Sequence, residues 1–163
     1  MSISPIIWKR LKMQGFEEGR YDPEFVQVVP WLLFTPILGI ILVGLATVLA
    51  SPLFFFWLAS LALFGAITGV HPADFIYNYG IRYGVGTPRL PKNPIPRRFG
   101  FGVMAVALTV TGWLFLVGTT LAGYILGTAL LSIPFVAITV PHFCVLSWLY
   151  RVLFGYKRVI TNN

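Results

Sequence analysis

The stretch TVPHFCVLSW, residues 139–148, holds His142 and Cys144 within a long run that carries no charge. A neutral imidazole in such surroundings can ligate haem iron or the magnesium of a chlorophyll-type pigment. It can also serve structure, by hydrogen-bonding a backbone carbonyl freed by Pro134 or Pro141. An ionisable residue at membrane depth is a functional candidate by default. Bis-histidine haem needs a second deep histidine. The other one, His71, stands at the end of an apolar run and reads as a cap or interfacial residue. Cys144 is the sole cysteine, so no intrachain disulfide can form. A lone buried thiol is normally a small hydrophobe. A redox or sulfur-related role through Cys144 is the third option.

Other chemistry lacks its parts. The five acids are Glu17, Glu18, Asp22, Glu24 and Asp74, and none lies in the apolar runs. A proton relay or cation pathway would need a carboxylate there. No P-loop, metal-ligand spacing or nucleophile elbow occurs. YGVGTP has glycines but lacks the following helix that a phosphate cradle requires. The expectation is that the chain is not an enzyme.

The elements that must carry these residues follow from composition. Of 163 residues, 57% are hydrophobic and 10% charged, with a mean hydropathy of +0.81. Soluble domains carry about 25% charged residues. Phe25–Val70 and Phe99–Tyr150 contain no Asp, Glu, Lys or Arg. A bilayer core is about 30 Å thick and takes about 20 helical residues to cross. Either run as one helix would be far too long, so each must fold back. Ala50-Ser51-Pro52 breaks the first, with proline suited to a helix's first turn. Thr119 to Tyr124 is the weakest apolar part of the second.

The predicted fold class is therefore an all-α integral membrane protein with four transmembrane helices arranged as two hairpins. The predicted spans are 28–50, 53–70, 101–120 and 125–149, within a single membrane domain over 1–163. An N-terminal arm (1–24), a central loop (71–100) and a tail (150–163) lie outside the membrane. No cleavable signal peptide is expected, because the first apolar run starts late and is long.

All twelve Lys and Arg residues fall in those three outer segments. The positive-inside rule assigns them, and both termini, to the cytoplasm. Arg82, Arg89, Lys92, Arg97 and Arg98 lie in the central loop, four of them in the proline-rich strip PRLPKNPIPRRFG. Such a strip can attract anionic lipids or dock a partner. Trp31 and Trp148 suit an aromatic belt at the charged boundary, and Trp57 and Tyr124 suit the opposite one. Trp113 falls at mid-membrane and reads as core. Gly65/Gly69 and Gly123/Gly127 have GxxxG spacing, which permits close helix packing. Ile6, Ile7, Leu11 and Phe16 suggest a short interfacial helix. His71 to Gly86 suggests another, with Phe75, Tyr79 and Tyr83 on one face.

The segment HPADFIYNYGIRYGVGTPRLPKNPIPRRFGFGVMAVAL, His71 to Leu108, resembles a family of small bacterial membrane proteins that carry a domain of unknown function. The resemblance rests on His-Pro-x-Asp, Tyr-Asn-x-x-Ile-Arg, Pro-x-Leu-Pro and Pro-Arg-Arg-Phe. It implies a four-span protein of the bacterial cytoplasmic membrane and names no activity. Many members carry Phe-Cys-x-x-Cys near the end of the last helix, and some are associated with thioredoxin-like or sulfur-metabolism proteins. Here the matching residues run from Phe143 and Cys144 to Ser147, so the second thiol is missing.

The functional expectation is a non-catalytic accessory or structural subunit of a larger bacterial membrane complex, such as an energy-transducing one. The alternatives are a pigment- or haem-binding protein using His142, and a sulfur-related protein using Cys144. Expected partners are other integral membrane subunits and anionic lipids, with no nucleic acid.

Overall fold

A computed structural model describes residues 3–17 and 20–155. Glu18, Lys157 and Arg158, part of the charge pattern above, lie outside them. The described residues are helical, without strands. The helices are α1 (Pro5–Gln14), α2 (Pro23–Val28), α3 (Phe34–Val48), α4 (Pro52–Thr68), α5 (Pro72–Ile76), α6 (Arg82–Val85), α7 (Ile95–Leu116), α8 (Thr120–Thr139) and α9 (Val145–Phe154). A 3₁₀ turn, Pro30–Leu33, joins α2 to α3, and a π turn, Tyr77–Ile81, joins α5 to α6.

Proline opens these helices and glycine closes them. Pro5, Pro23, Pro52 and Pro72 each stand at a first helical position, where the missing N–H costs nothing. Gly15, Gly69 and Gly86 close α1, α4 and α6 with φ of 99°, 75° and 67°, a conformation that glycine adopts without strain. Ser51 caps α4 by accepting from the Phe54 amide at 3.3 Å.

Three continuous helical segments are long and apolar enough to cross a membrane: Pro23–Val48, Ile95–Leu116 and Thr120–Thr139. Helix α4 joins Pro72–Val85 through an 81° bend, and that pair counted as one broken span would make a fourth. The chain has the helices of a membrane protein.

Helix α7 lies along α4, and α8 along α3. By contrast α3 and α4, though joined by a tight turn, touch little. The bundle core gathers Val43, Ala46, Phe55, Leu58, Ala105, Leu108, Phe115 and Leu130. Phe55 stacks on Phe115 with ring centres 5.6 Å apart. The GxxxG glycines serve this packing. A Cβ on Gly127 would sit 2.7 Å from the Thr47 hydroxyl, and one on Gly123 2.9 Å from the Phe115 ring. A second core at the charged end holds Trp8, Leu11, Phe16, Phe25, Tyr77 and Leu90.

The last predicted span needs correction. Helix α8 ends at Thr139, and 125–149 is not one helix. Pro141 lacks a donor and disfavours helix at the residue before it. His142 then takes a left-handed φ of 63°, and α9 starts afresh at Val145. The predicted turn near 121–124 lies inside α8, because the chain reverses earlier, at Gly118 with φ 82°. The central loop is shorter than 71–100, since α7 begins at Ile95 and takes in Arg97 and Arg98. Trp113 is 57% exposed and is not core.

Candidate cleft at the charged end of the bundle

His142 is held by residues far away in sequence. The Gln14 side-chain amide donates to the His142 carbonyl. Arg10 donates to the Pro141 carbonyl at 3.0 Å. Both donors sit on α1. From α9, Arg151 donates back to the Met13 and Lys12 carbonyls at 3.3 and 3.2 Å. That supplies a donor to the Met13 carbonyl at the end of α1 and a second one to the Lys12 carbonyl, which also accepts from the Gly15 amide at 3.0 Å. The same guanidinium lies 3.7 Å from Glu17. The break between α8 and α9 is thus pinned by α1.

His142 is 5% exposed, and its ring nitrogens bond no described residue. Burial, then the charges of Arg97 and Arg10, lower its pKa to about 4. At neutral pH it is an uncharged imidazole with one N–H to give.

Asp74 organises the facing wall. Its carboxylate accepts from the Thr35 hydroxyl at 3.1 Å, the His71 amide at 2.8 Å and the Asn93 side chain at 2.8 Å. Asn93 also ties the proline-rich strip to α4, donating its backbone N–H to the Gly69 carbonyl at 2.7 Å. His71 caps α5, its Nδ1 accepting from the Ala73 amide at 3.2 Å. Its ring packs on Phe101 at 5.0 Å. Burial lowers its pKa, opposed by Asp74 and assisted by Arg97. With Nδ1 accepting, the proton of neutral His71 is assigned to Nε2. His71 is therefore a donor.

Adjacent arginines of the basic strip have separate tasks. Arg98 donates to the Ala66 carbonyl at 2.9 Å and to that of Ile67, closing the end of α4. Arg97 donates to no described residue, and its guanidinium stands 5.7 Å from the Phe16 ring centre.

These groups meet at one cavity of about 420 Å³ where α3 and α4 diverge. Leu42, Leu58, Ala62, Met104, Leu108 and Ile133 wall it, and Gln14, His71, Arg97, His142 and Cys144 line it too. The volume lies within the ~300–1,000 Å³ of small-molecule sites, and so does the mix of apolar walls with few polar groups. Cys144 stands at the N-cap of α9. Ser147, one turn on, is fully buried with an unpartnered hydroxyl. Among the described residues, no group of three His, Cys, Asp or Glu side chains could hold a metal ion.

The other residues singled out by sequence lie elsewhere. Arg82 donates to the Tyr83 hydroxyl at 3.1 Å and stacks on its ring at 4.5 Å. That bond and charge lower the Tyr83 pKa. Arg89 lies 5.6 Å over Tyr79, and Phe75 stacks on Tyr79 at 6.0 Å. Lys92 is exposed. Trp148 is 45% exposed on α9. Trp31 packs on Tyr77 at 5.1 Å.

Apart from Gln14, the residues that line the cleft lie within the part of the chain that a family model matches. That model, DUF4395, a domain of unknown function, covers residues 22–154. The chain belongs to this family. Comparisons with curated proteins and with solved structures give no significant match. Helix α1, with Gln14 and Arg10, precedes the family match.

Sequence reasoning singled out His142 and Cys144 but placed both at membrane depth within one continuous span, 125–149. It did not anticipate Gln14, Asp74 or the inward Arg97. The buried acid offered one clue: Asp74 follows His71-Pro72 at capping-box spacing.

Proposed function

We propose that this chain is a non-catalytic accessory subunit of a larger bacterial membrane assembly. In this reading four spans form two hairpins in the cytoplasmic membrane, with the charged end inside the cell. The supporting observation is a groove of about 460 Å³ between α4 and α7, floored by Ala59, Gly102 and Ala105 and flanked by Phe56, Leu63 and Val106. Ser60 and Thr109 also line it, but their hydroxyls donate back to the Phe56 and Ala105 carbonyls at 2.8 Å. The groove therefore presents small apolar surface with no donor left to satisfy. That surface suits an apolar helix of another subunit, since small residues let helix backbones approach. The exposed Arg89 and Lys92 of the central segment would add contacts to anionic headgroups.

The test is purification from native membranes in mild detergent, with partners identified by mass spectrometry. A stoichiometric integral-membrane partner that is lost in Gly102→Leu is the expected result. A monomer with no copurifying subunit would overturn the proposal.

A second reading has one observation in its favour. The unpartnered His142 imidazole lines the cleft and could ligate a haem or a chlorophyll-type pigment. His71 lines the same cleft, but its Nδ1 is occupied, which leaves a single axial ligand. A visible absorption spectrum of the gently purified protein decides this reading.

A further inference from the structure

We infer that the cleft between α3 and α4 binds a single-chain lipid with an acidic head, the head on Arg97 and the tail along the apolar walls.

The polar end of the cleft is rich in donors. Arg97 brings a guanidinium with no hydrogen-bonded partner among the described residues. His71 brings an Nε2–H, because its Nδ1 is taken by the Ala73 amide. His142, 95% buried by its 5% exposure, brings a ring nitrogen that nothing described satisfies. Acceptors are scarce. Asp74, the carboxylate nearest this end, already accepts from Thr35, His71 and Asn93. The Gln14 amide nitrogen is engaged with the His142 carbonyl.

Arg97 is only partly buried and feels the charge of Asp74 without bonding it, and a partly buried cation with no hydrogen-bonded counter-ion is costly. A guanidinium fork matches the two oxygens of a carboxylate or phosphate. The ligand must therefore supply an oxyanion. Beyond the head, the walls are Leu42, Leu58, Ala62, Met104, Leu108 and Ile133, which hydrogen-bond nothing and suit a hydrocarbon chain. The volume of about 420 Å³ suits one tail. The shared head chemistry is a compact oxyanion, which a fatty acid or a single-chain anionic lysophospholipid can each provide.

The full chain is reconstituted in phosphatidylcholine nanodiscs and titrated with palmitate, palmitate methyl ester and the single-chain lysophosphatidylglycerol. Palmitate is expected to bind at least about tenfold more tightly than its ester, as loss of a charge-assisted hydrogen bond predicts. Lysophosphatidylglycerol that displaces palmitate would identify a single-chain phospholipid as a source. Failure to displace would identify the free acid, and either result supports the site. Arg97→Gln is expected to abolish the preference for acid over ester, and Arg97→Lys to keep most of it. Equal binding of acid and ester by the unmodified chain would overturn the inference without any variant. So would an unchanged preference in a folded Arg97→Gln chain, or a chromophore occupying the cleft.

Discussion

Arg97 and Arg98 are sequence neighbours that serve opposite ends of an electrostatic contrast. Arg98 closes α4 by donating to the Ala66 and Ile67 carbonyls. Arg97 lines the cleft without a hydrogen bond to any described residue. Replacing each should therefore give different results. Arg98→Ala should lower stability by about 1–2 kcal/mol, from two lost charge-assisted bonds at a partly exposed site. Arg97→Gln should leave stability unchanged or raise it. Denaturation of both variants in one detergent makes the comparison, and equal losses would contradict it.

The left-handed φ of 63° at His142 costs a side-chain-bearing residue about 1–2 kcal/mol. Glycine escapes that cost. His142→Gly is expected to be more stable than His142→Ala by about 1 kcal/mol. Equal melting temperatures for the two would mean that the backbone there carries no strain.

The contact of Gly127 with Thr47 should behave as a coupled pair. Gly127→Ala puts a methyl 2.7 Å from the Thr47 hydroxyl, at an expected cost of about 1–3 kcal/mol. Adding Thr47→Ala removes the obstruction and should restore most of the loss. A double-mutant cycle reads the coupling, and strict additivity would refute it.

Ser147 keeps a hydroxyl fully buried without a partner. Ser147→Ala should stabilise the chain by about 1 kcal/mol, because an unmet donor is removed from the interior. A lower melting temperature would show that the hydroxyl is satisfied.

Stability should also fall on mild acidification. The folded pKa of His142 is about 4, against an ordinary 6.5. Between those values the unfolded chain binds the extra proton and the folded chain does not. This contribution is complete above pH 6.5 and is lost as pH falls toward 4. His71, lowered by its own burial, acts in the same direction. A His142→Gln chain should show a shallower decline over this window, measured by denaturant titration at stepped pH.

The apolar runs made the helical membrane class legible, because length and hydropathy alone require such helices. Ser51-Pro52 marked the start of α4, since a capping hydroxyl and a first-turn proline are local signals. Pro141 gave equally local notice of a break, but continuous hydropathy through 149 masked it. Trp113 looked internal by depth, and its face on α7 could not be read because the helix is apolar all round. Arg97 and Arg98 have the same chemistry one residue apart, so only the turn of α7 separates their roles. Asp74 read only as an acid outside the apolar runs, and the partners that bury it come from Thr35 and Asn93, which no periodicity connects to it.

The grip of α1 on residues 141 and 142 has a further consequence. Gln14 both holds the His142 carbonyl and lines the cleft, so α1 acts as a stopper at its polar mouth. The stopper precedes the region that the family model matches, while the vessel it closes lies within that region. Entry of the proposed lipid at this mouth would then be governed by the docking of one short helix, and deleting that helix is expected to open the cleft's polar end while leaving its hydrocarbon walls in place.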